Sequence, residues 1–262
     1  MKAGTRTAVY DRALHVEAYS FDGVVQAFPN HVHEYYVIGL VERGERRLLC
    51  INREYSVGSG DVLVFNPGDS HSCTQSGGAL LYRALNIPRD VMLAHLERSP
   101  HFAPNVLREP GIATAVRTLH EAIYGTVPGR EALLAGLLET LSSRYGERTG
   151  GTPHRDEVER AREYIERNFA GHVTLDAICR AAGLSKSALL RAFTKSLGVT
   201  PHCYLESVRV GAARRILEQG AAPVEAANLC GFADQSHMTN CCGRLIGLSP
   251  GAYREIFSKD GD

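Results

Sequence analysis

The last third of this chain carries one pattern twice, and that duplication limits the fold more than any other feature. Gly198-Val199-Thr200-Pro201-His202-Cys203-Tyr204 recurs as Gly247-Leu248-Ser249-Pro250-Gly251-Ala252-Tyr253. The same offset of 49 places Ser185 on Asp234, Leu189 on Met238 and Arg191 on Asn240, whereas upstream an offset of 48 places Cys179 on Ala227 and Gly183 on Gly231. Two copies of one small unit are therefore expected, the second with one more residue in its turn, where an insertion disturbs least.

Each copy reads as two short helices joined by a tight turn. In the first, Thr174 caps a helix with Leu175, Ile178 and Cys179 inward, Gly183 supplies the turn, and Ser185 caps the next helix. Leu189 and Phe193, four apart, face the core, which turns Lys186, Ser187, Leu190, Arg191, Thr194 and Lys195 outward. This is the layout of a helix-turn-helix, whose second helix enters the DNA major groove. Arg191 is the leading base reader, because a guanidinium can bond guanine bidentately. In the second copy Asp234 caps, Met238 and Cys242 face inward, and Gln235, Ser236, Thr239, Asn240 and Arg244 face outward. Between the copies, Pro201 to Gln219 carries Leu205, Val208, Ala212 and Ile216 on one stripe. A single long helix can thus hold the two units apart for neighbouring major-groove segments. Two helical hairpins in a scaffold without nucleic acid are the plain alternative, and the pairing of the units weighs against it.

Residues 154–257 resemble the DNA-binding domain of the AraC/XylS family of bacterial transcription regulators. The motifs that carry the resemblance are Gly183-Leu184-Ser185 with Leu189, Arg191 and Phe193, then Gly231-Phe232-Ala233-Asp234-Gln235-Ser236-His237, then Gly247-Leu248-Ser249-Pro250-Gly251-Ala252-Tyr253-Arg254. Departures cluster in the second recognition helix. Where the family has Arg, a large aromatic and Lys, this chain has Asn240, Cys242 and Gly243. Two positive charges are lost, so the second unit is expected to grip DNA less strongly, with Asn240 able to read an adenine instead. Residues 153–262 hold 14 Lys plus Arg against 13 Asp plus Glu, a surplus of one, which predicts modest non-specific affinity. Many of the acids (Asp156, Glu157, Glu159, Glu163, Glu166) lie on a preceding helix whose inward stripe is Val158, Ala161, Ile165 and Phe169.

Residues 21–90 read differently. Runs rich in Val, Leu, Ile, Tyr and Phe (35–41, 46–51, 61–65, 79–86) alternate with Gly, Pro, Asn and Asp turns, the rhythm of an antiparallel barrel or jelly roll. His31-Val32-His33-Glu34-Tyr35-Tyr36 and Gly60-Asp61-Val62-Leu63-Val64-Phe65-Asn66-Pro67-Gly68-Asp69-Ser70-His71 resemble the two motifs of the cupin superfamily, as in the sensor half of AraC-type regulators. His31, His33, Tyr35, Asn66 and His71 are the candidate effector-binding residues. No cofactor is required by this reading, although His31, His33 and His71 form a plausible half-octahedron for a divalent metal. Metal cupins add a Glu four or five residues after the second His, where this chain has Val37 and Ile38, so hydrogen bonding to a small polar effector is the competing role, and simple fixing of the barrel mouth a third. Phe28, Tyr35, Tyr36, Phe65 and Tyr82 are candidates for an aromatic lining.

The expected fold is α+β in two domains: residues 1–148 a cupin-like effector-binding barrel with dimerisation helices, residues 149–262 an all-α domain of two helix-turn-helix units. Leu133, Leu134, Leu137, Leu138, Leu141 and Tyr145 make a wide apolar stripe, part of it packing on the barrel and the remainder suiting an antiparallel helix pair in a homodimer. Residues 146–153 read as the linker. The expected function is a DNA-binding transcription regulator controlled by a small-molecule effector that shifts the segment 1–20 or the dimer helices. The resemblance implies an activator that meets RNA polymerase; a metal-dependent cupin enzyme fused to a helix-turn-helix domain is the alternative. No apolar run is long enough for a bilayer and no signal peptide opens the chain, so a cytoplasmic location and no membrane partner are expected. Seven cysteines, an odd number, read as reduced thiols. Cys241 and Cys242 near His237 raise redox or metal chemistry, against which neighbouring residues point different ways around a helix.

Overall fold

A computed structural model describes residues 4–147 and 156–258. The N-terminal part is an antiparallel sheet of β1 (Thr5–Asp11), β2 (Val16–Val24), β3 (Phe28–His31), β4 (Tyr36–Cys50), β5 (Arg53–Val57), β6 (Val62–Phe65), β7 (His71–Ile87) and the short β9 (Val106–Leu107). Its order is β1-β2-β7-β4-β6-β9, with β3 on β7 and β5 on β4. The sequence motifs at 35–41 and 46–51 are one long strand, bulged between Val41 and Arg46, and β7 runs beside it for its whole length. Bulges let two long strands bend, so one sheet curls around its own interior. Within the segment 1–20, residues 5–11 form an edge strand that pairs in register with residues 16–22.

Alternation along the strands divides the sheet's two faces. Tyr19, Phe21, Val37, Val41, Leu63 and Phe65 point into the curl. Ile38, Leu40, Val62, Val64 and Leu85 point outward, against α2 (Pro110–Tyr124) and α3 (Arg130–Tyr145), with α1 (Arg89–Leu96) alongside. On α3, Leu134, Leu137, Leu138 and Leu141 are buried in the same chain, Tyr145 is half-buried and Leu133 is 39% exposed. Most of the apolar stripe is therefore spent on the sheet. The first two linker residues form β10 (Gly146–Glu147), paired with β8 (His101–Phe102); the rest of that linker lies outside the described residues.

The C-terminal part is all helix: α4 (Asp156–Asn168), α5 (Leu175–Ala182), α6 (Lys186–Leu197), α7 (Pro201–Glu218), α8 (Pro223–Leu229), α9 (Gln235–Leu245) and α10 (Pro250–Ser258). The duplication holds at the level of single hydrogen bonds. The side chains of Thr174, Ser185, Thr200, Asp234 and Ser249 each accept a bond from the backbone N–H three residues on, the N-cap arrangement. Leu184 N donates to Cys179 O and Phe232 N to Ala227 O, both at 3.1 Å, the six-to-one bond of a left-handed helix end. Gly183 (φ 71°) and Gly231 (φ 73°) supply that conformation, and a Cβ on Gly231 would lie 2.6 Å from the Ala170 carbonyl oxygen. The extra residue of the second copy is thus Ala233, between the closing bond and the Asp234 cap.

The phase expected for α7 is corrected. Tyr204, Leu205, Ser207, Val210, Ala212, Ala213, Arg214 and Leu217 are buried, whereas Val208 and Ile216 are half-buried. The helix is covered on several sides, by both helix-turn-helix units and by the sheet domain, so it has no single apolar stripe.

Candidate functional site

The candidate sites are an outward helical face and a cavity within the sheet that opens into a cleft. On α6, Lys186, Ser187, Leu190, Arg191 and Lys195 are exposed, while Leu189 and Phe193 are fully buried beneath them. Lys186 Nζ pairs with Asp176 at 2.8 Å, whereas the Arg191 side chain is exposed to solvent. On α9, Gln235, Ser236, Asn240 and Arg244 are exposed and Thr239 is half-buried, its hydroxyl donating back to the Gln235 carbonyl at 2.8 Å. Arg244 donates to Glu206 Oε1 at 3.0 Å, so this cation is already engaged. Cys241 is buried beside Met238 and Cys242, one inward position more than the sequence pattern predicts.

Within the curled sheet, the end of β3, the connection that follows it and the start of β7 bring three imidazoles together. His31 and His71 are register partners, and ring centroids lie 4.3 Å apart for His31–His71, 4.9 Å for His33–His71 and 6.1 Å for His31–His33. Each Nδ1 faces a backbone carbonyl: His31 to Pro29 at 2.8 Å, His33 to Tyr35 at 2.8 Å, His71 to Asp69 at 3.1 Å. A carbonyl only accepts, so Nδ1 carries the proton and Nε2 is left as an acceptor. Burial, reinforced by the neighbouring imidazoles, lowers the His33 pKa to about 3 and that of His71 well below the ordinary value; burial also lowers His31. All three rings are neutral, and His33 Nε2 is buried with no hydrogen-bond partner among the described residues.

These rings do not form a set of three donors converging within 4.8 Å of one another. Val37 fills the inward position where a carboxylate ligand would stand, which leaves the histidines better matched to a hydrogen-bonding ligand than to a metal. Asn66 is also placed differently from expectation. Its amide donates to Asp69 Oδ2 at 2.8 Å and to Phe102 O at 3.0 Å, while its oxygen accepts from Phe102 N at 2.8 Å. With its amide bonded to the 66–69 turn and to β8, it is a structural clamp and is not among the cavity-lining residues. Phe28, Tyr35, Phe65 and Tyr82 line the cavity as expected for an aromatic pocket; Tyr36 faces the other side and donates to Pro100 O at 2.8 Å.

The inner cavity, about 110 Å³, is closed partly by Leu245 and Ile246 at the end of α9. A larger cleft of about 790 Å³ shares His31, His33, Tyr35, Asn86, Leu245 and Ile246 with it and continues between sheet and helices to Glu17, Arg214 and Glu218. There the sequence reading missed a buried lock. Arg214 Nη2 lies 2.6 Å from Glu17 Oε2, its Nε donates to the Tyr253 hydroxyl at 3.0 Å, and its guanidinium stacks 4.1 Å over Tyr35. Tyr253 meets Glu17 at 2.5 Å and Glu218 at 2.6 Å, and Asn86 donates to Glu17 at 3.1 Å. Burial pushes the Tyr35 hydroxyl up to about 12, so it stays protonated. The available signal was an arginine among Val210, Ala213 and Leu217, since a charge on an inward face demands a buried partner; its partner Glu17, 197 residues away, carried none. The sheet domain also holds both repeats at the same place: Asn30 donates to Gly198 O at 2.5 Å, Arg6 to Gly247 O at 3.2 Å.

Two helix-turn-helix units on a shared helix, joined to a curled sheet with an internal cavity that opens into a cleft, define a ligand-responsive DNA-binding regulator. The family model described as an AraC-like ligand binding domain matches residues 14–142, and a helix-turn-helix domain model matches residues 178–256. The chain is 41% identical over 272 residues to the uncharacterised HTH-type transcriptional regulator YbfI of Bacillus subtilis, covering 99% of each. It is 26% identical to the HTH-type transcriptional activator RhaS of Salmonella arizonae, over 87% of this chain and 88% of that one. The fold is that of ToxT from Vibrio cholerae O395, with a TM-score of 0.53, 15% identity and 98% of both chains covered. The chain belongs to the AraC family of helix-turn-helix transcription regulators, with a ligand-binding domain preceding its DNA-binding domain. Its relatives are named as regulators, which sets the cupin-enzyme alternative aside.

Proposed function

We propose that the cavity and cleft bind a small hydroxyl-bearing effector, and that occupancy is relayed to the DNA-binding domain through the Glu17–Arg214–Tyr253 lock. The observation that carries this reading is the unpartnered Nε2 of His33, on a ring lining both the inner cavity and the cleft. A buried acceptor without a partner costs about 1–3 kcal/mol, which a ligand hydroxyl recovers. The cleft volume suits a small molecule. A ToxT structure is described as bound to an unsaturated fatty acid, which supports an effector within this fold. The effector acts by differing in affinity for the locked and unlocked arrangements, and a coupling of about 1–3 kcal/mol gives a 5- to 150-fold change in DNA affinity.

On the DNA side, Lys186, Ser187, Leu190, Arg191 and Lys195 meet one major-groove segment and Gln235, Ser236, Thr239, Asn240 and Arg244 the next. The protein acts in the cytoplasm as a homodimer on repeated half-sites, its exposed Leu133 within the dimer contact, and as an activator it meets RNA polymerase; the activator name of RhaS supports that sign. Thermal-shift screening of sugars, polyols and aromatic acids tests the effector. Hits should raise the melting temperature of the native chain and not of His33→Ala. Hits that stabilise both equally would place the effector elsewhere.

A further inference from the structure

We propose a transition-metal site of the zinc class between α7 and α9, formed by Glu206, His237 and Cys241 with His202 as the fourth donor. One donor atom from each of Glu206, His237 and Cys241 lies within 4.8 Å of the other two. With metal–ligand bonds of about 2.0–2.3 Å, a filled tetrahedron has edges of about 3.5 Å, so small side-chain rotations complete it. His202 and Glu206 are four apart on α7, with Nδ1 3.9 Å from Oε2. His237 and Cys241 are four apart on α9, so each helix offers two donors from successive turns of one face. One sulfur, two imidazole nitrogens and one carboxylate oxygen make a set of intermediate softness, which suits Zn²⁺ or Co²⁺ rather than Mg²⁺ or Ca²⁺. Cys241 and Glu206 already converge, Sγ to Oε1 at 3.5 Å. The His237 ring makes one long contact, 3.4 Å from Ala233 N to Nδ1, and packs edge-on to Phe232. Cys242 turns into the core and takes no part.

Arg244 occupies the metal's place, with Nη2 3.0 Å from Glu206 Oε1 and 3.5 Å from Cys241 Sγ. A cation of higher charge displaces the guanidinium and binds Cys241 as thiolate, its proton passing to solvent. Arg244 is then released on the exposed face of α9, while α9 is pinned to α7. Metal thus strengthens the second unit's hold on DNA; this consequence rests on the reading of α9 as a DNA-contacting helix, and metal binding itself does not.

The test is a Co²⁺ titration of the full chain, reduced and stripped of metal. One equivalent should produce a thiolate-to-cobalt charge-transfer band with the intense visible bands of four-coordination, both lost on adding Zn²⁺. The charge-transfer band should vanish in Cys241→Ser and persist in Cys203→Ser. The half-buried Glu206→Gln, which spares the core, should weaken cobalt binding about tenfold or more. Absence of the band, its survival in Cys241→Ser, or cobalt bound without sulfur, as the histidine cluster of the sheet would bind it, each overturns the site. Zn²⁺ should then raise operator affinity about fivefold or more in the native chain and not in Arg244→Ala. Normal cobalt spectra without that gain would overturn the DNA consequence alone.

Discussion

The two helix-turn-helix units share a scaffold and differ in what surrounds it. The first has a core of its own, built from Val158, Ile165, Ile178, Leu189, Phe193 and Leu205. The second shares one continuous core with the interior of the sheet, from Tyr19 and Phe65 through Ala213 and Met238 to Tyr253. At matching positions Tyr204 bonds Glu166 of α4, whereas Tyr253 bonds Glu218 and also Glu17 of the sheet domain. The first unit keeps Arg191 exposed; at its counterpart the second has Asn240, and its Arg244 is engaged by Glu206. The repeated parts are those that fold each unit, and the surroundings differ: the first unit keeps its own core, and the second shares one with the sheet.

The sharpest way to break that division is at Arg214. Arg214→Met strands the buried Glu17 carboxylate and should lower stability by about 3–5 kcal/mol, by chemical denaturation. Adding Glu17→Gln should recover part of the loss. If the single variant costs under about 1 kcal/mol, the second unit is not locked to the sheet.

Acid should act on the same side. Burial lowers the pKa values of His31 and His71, His33 to about 3 and His120 to about 4, so in the folded chain these four rings resist protonation, whereas in the unfolded chain they take up protons below about 6.5. Stability is therefore full above that pH and falls as pH drops toward 4, by up to about 1.4 kcal/mol per pH unit for each histidine. Hydrogen exchange at pH 5 should speed up first in β3, β7 and α9. Equal or earlier loss of protection in α5 and α6 would contradict separate cores.

Arg191→Ala should reduce specific operator binding by about 1–3 kcal/mol with the melting temperature unchanged, and Asn240→Ala should cost less. Competition gel shifts at fixed salt decide the order, and its reversal would make the second unit the main reader. The smallest effect is expected at Gly243, where an added Cβ meets nothing within 4 Å. Gly243→Ala should stabilise the chain by about 0.5–1 kcal/mol. A loss instead would mean that the glycine is needed where Arg6 approaches its carbonyl at 3.5 Å.

The helical half was legible because its information is local. Caps such as Ser185 and Asp234, turn glycines and four-residue spacings fix the chain within a turn or two of themselves, and the second copy checks the first. The sheet is legible in part: the phrases around His31 and His71 mark the cavity, whereas the pairing of residues 5–11 with 16–22 carries no turn signal of its own and the bulge makes one strand look like two. Motif position cannot tell a clamp such as Asn66 from a ligand-binding group, because its partner Phe102 lies 36 residues away.

By itself the sequence determined the two reading helices, the caps that start them and the residues turned outward, since each follows from contacts within a few residues. Only the tertiary structure decided that Glu17 meets Arg214, that α9 closes the cavity and that Glu206 faces His237 and Cys241. A buried charge records in the sequence that it needs a partner and does not record which one; packing of distant segments makes that choice.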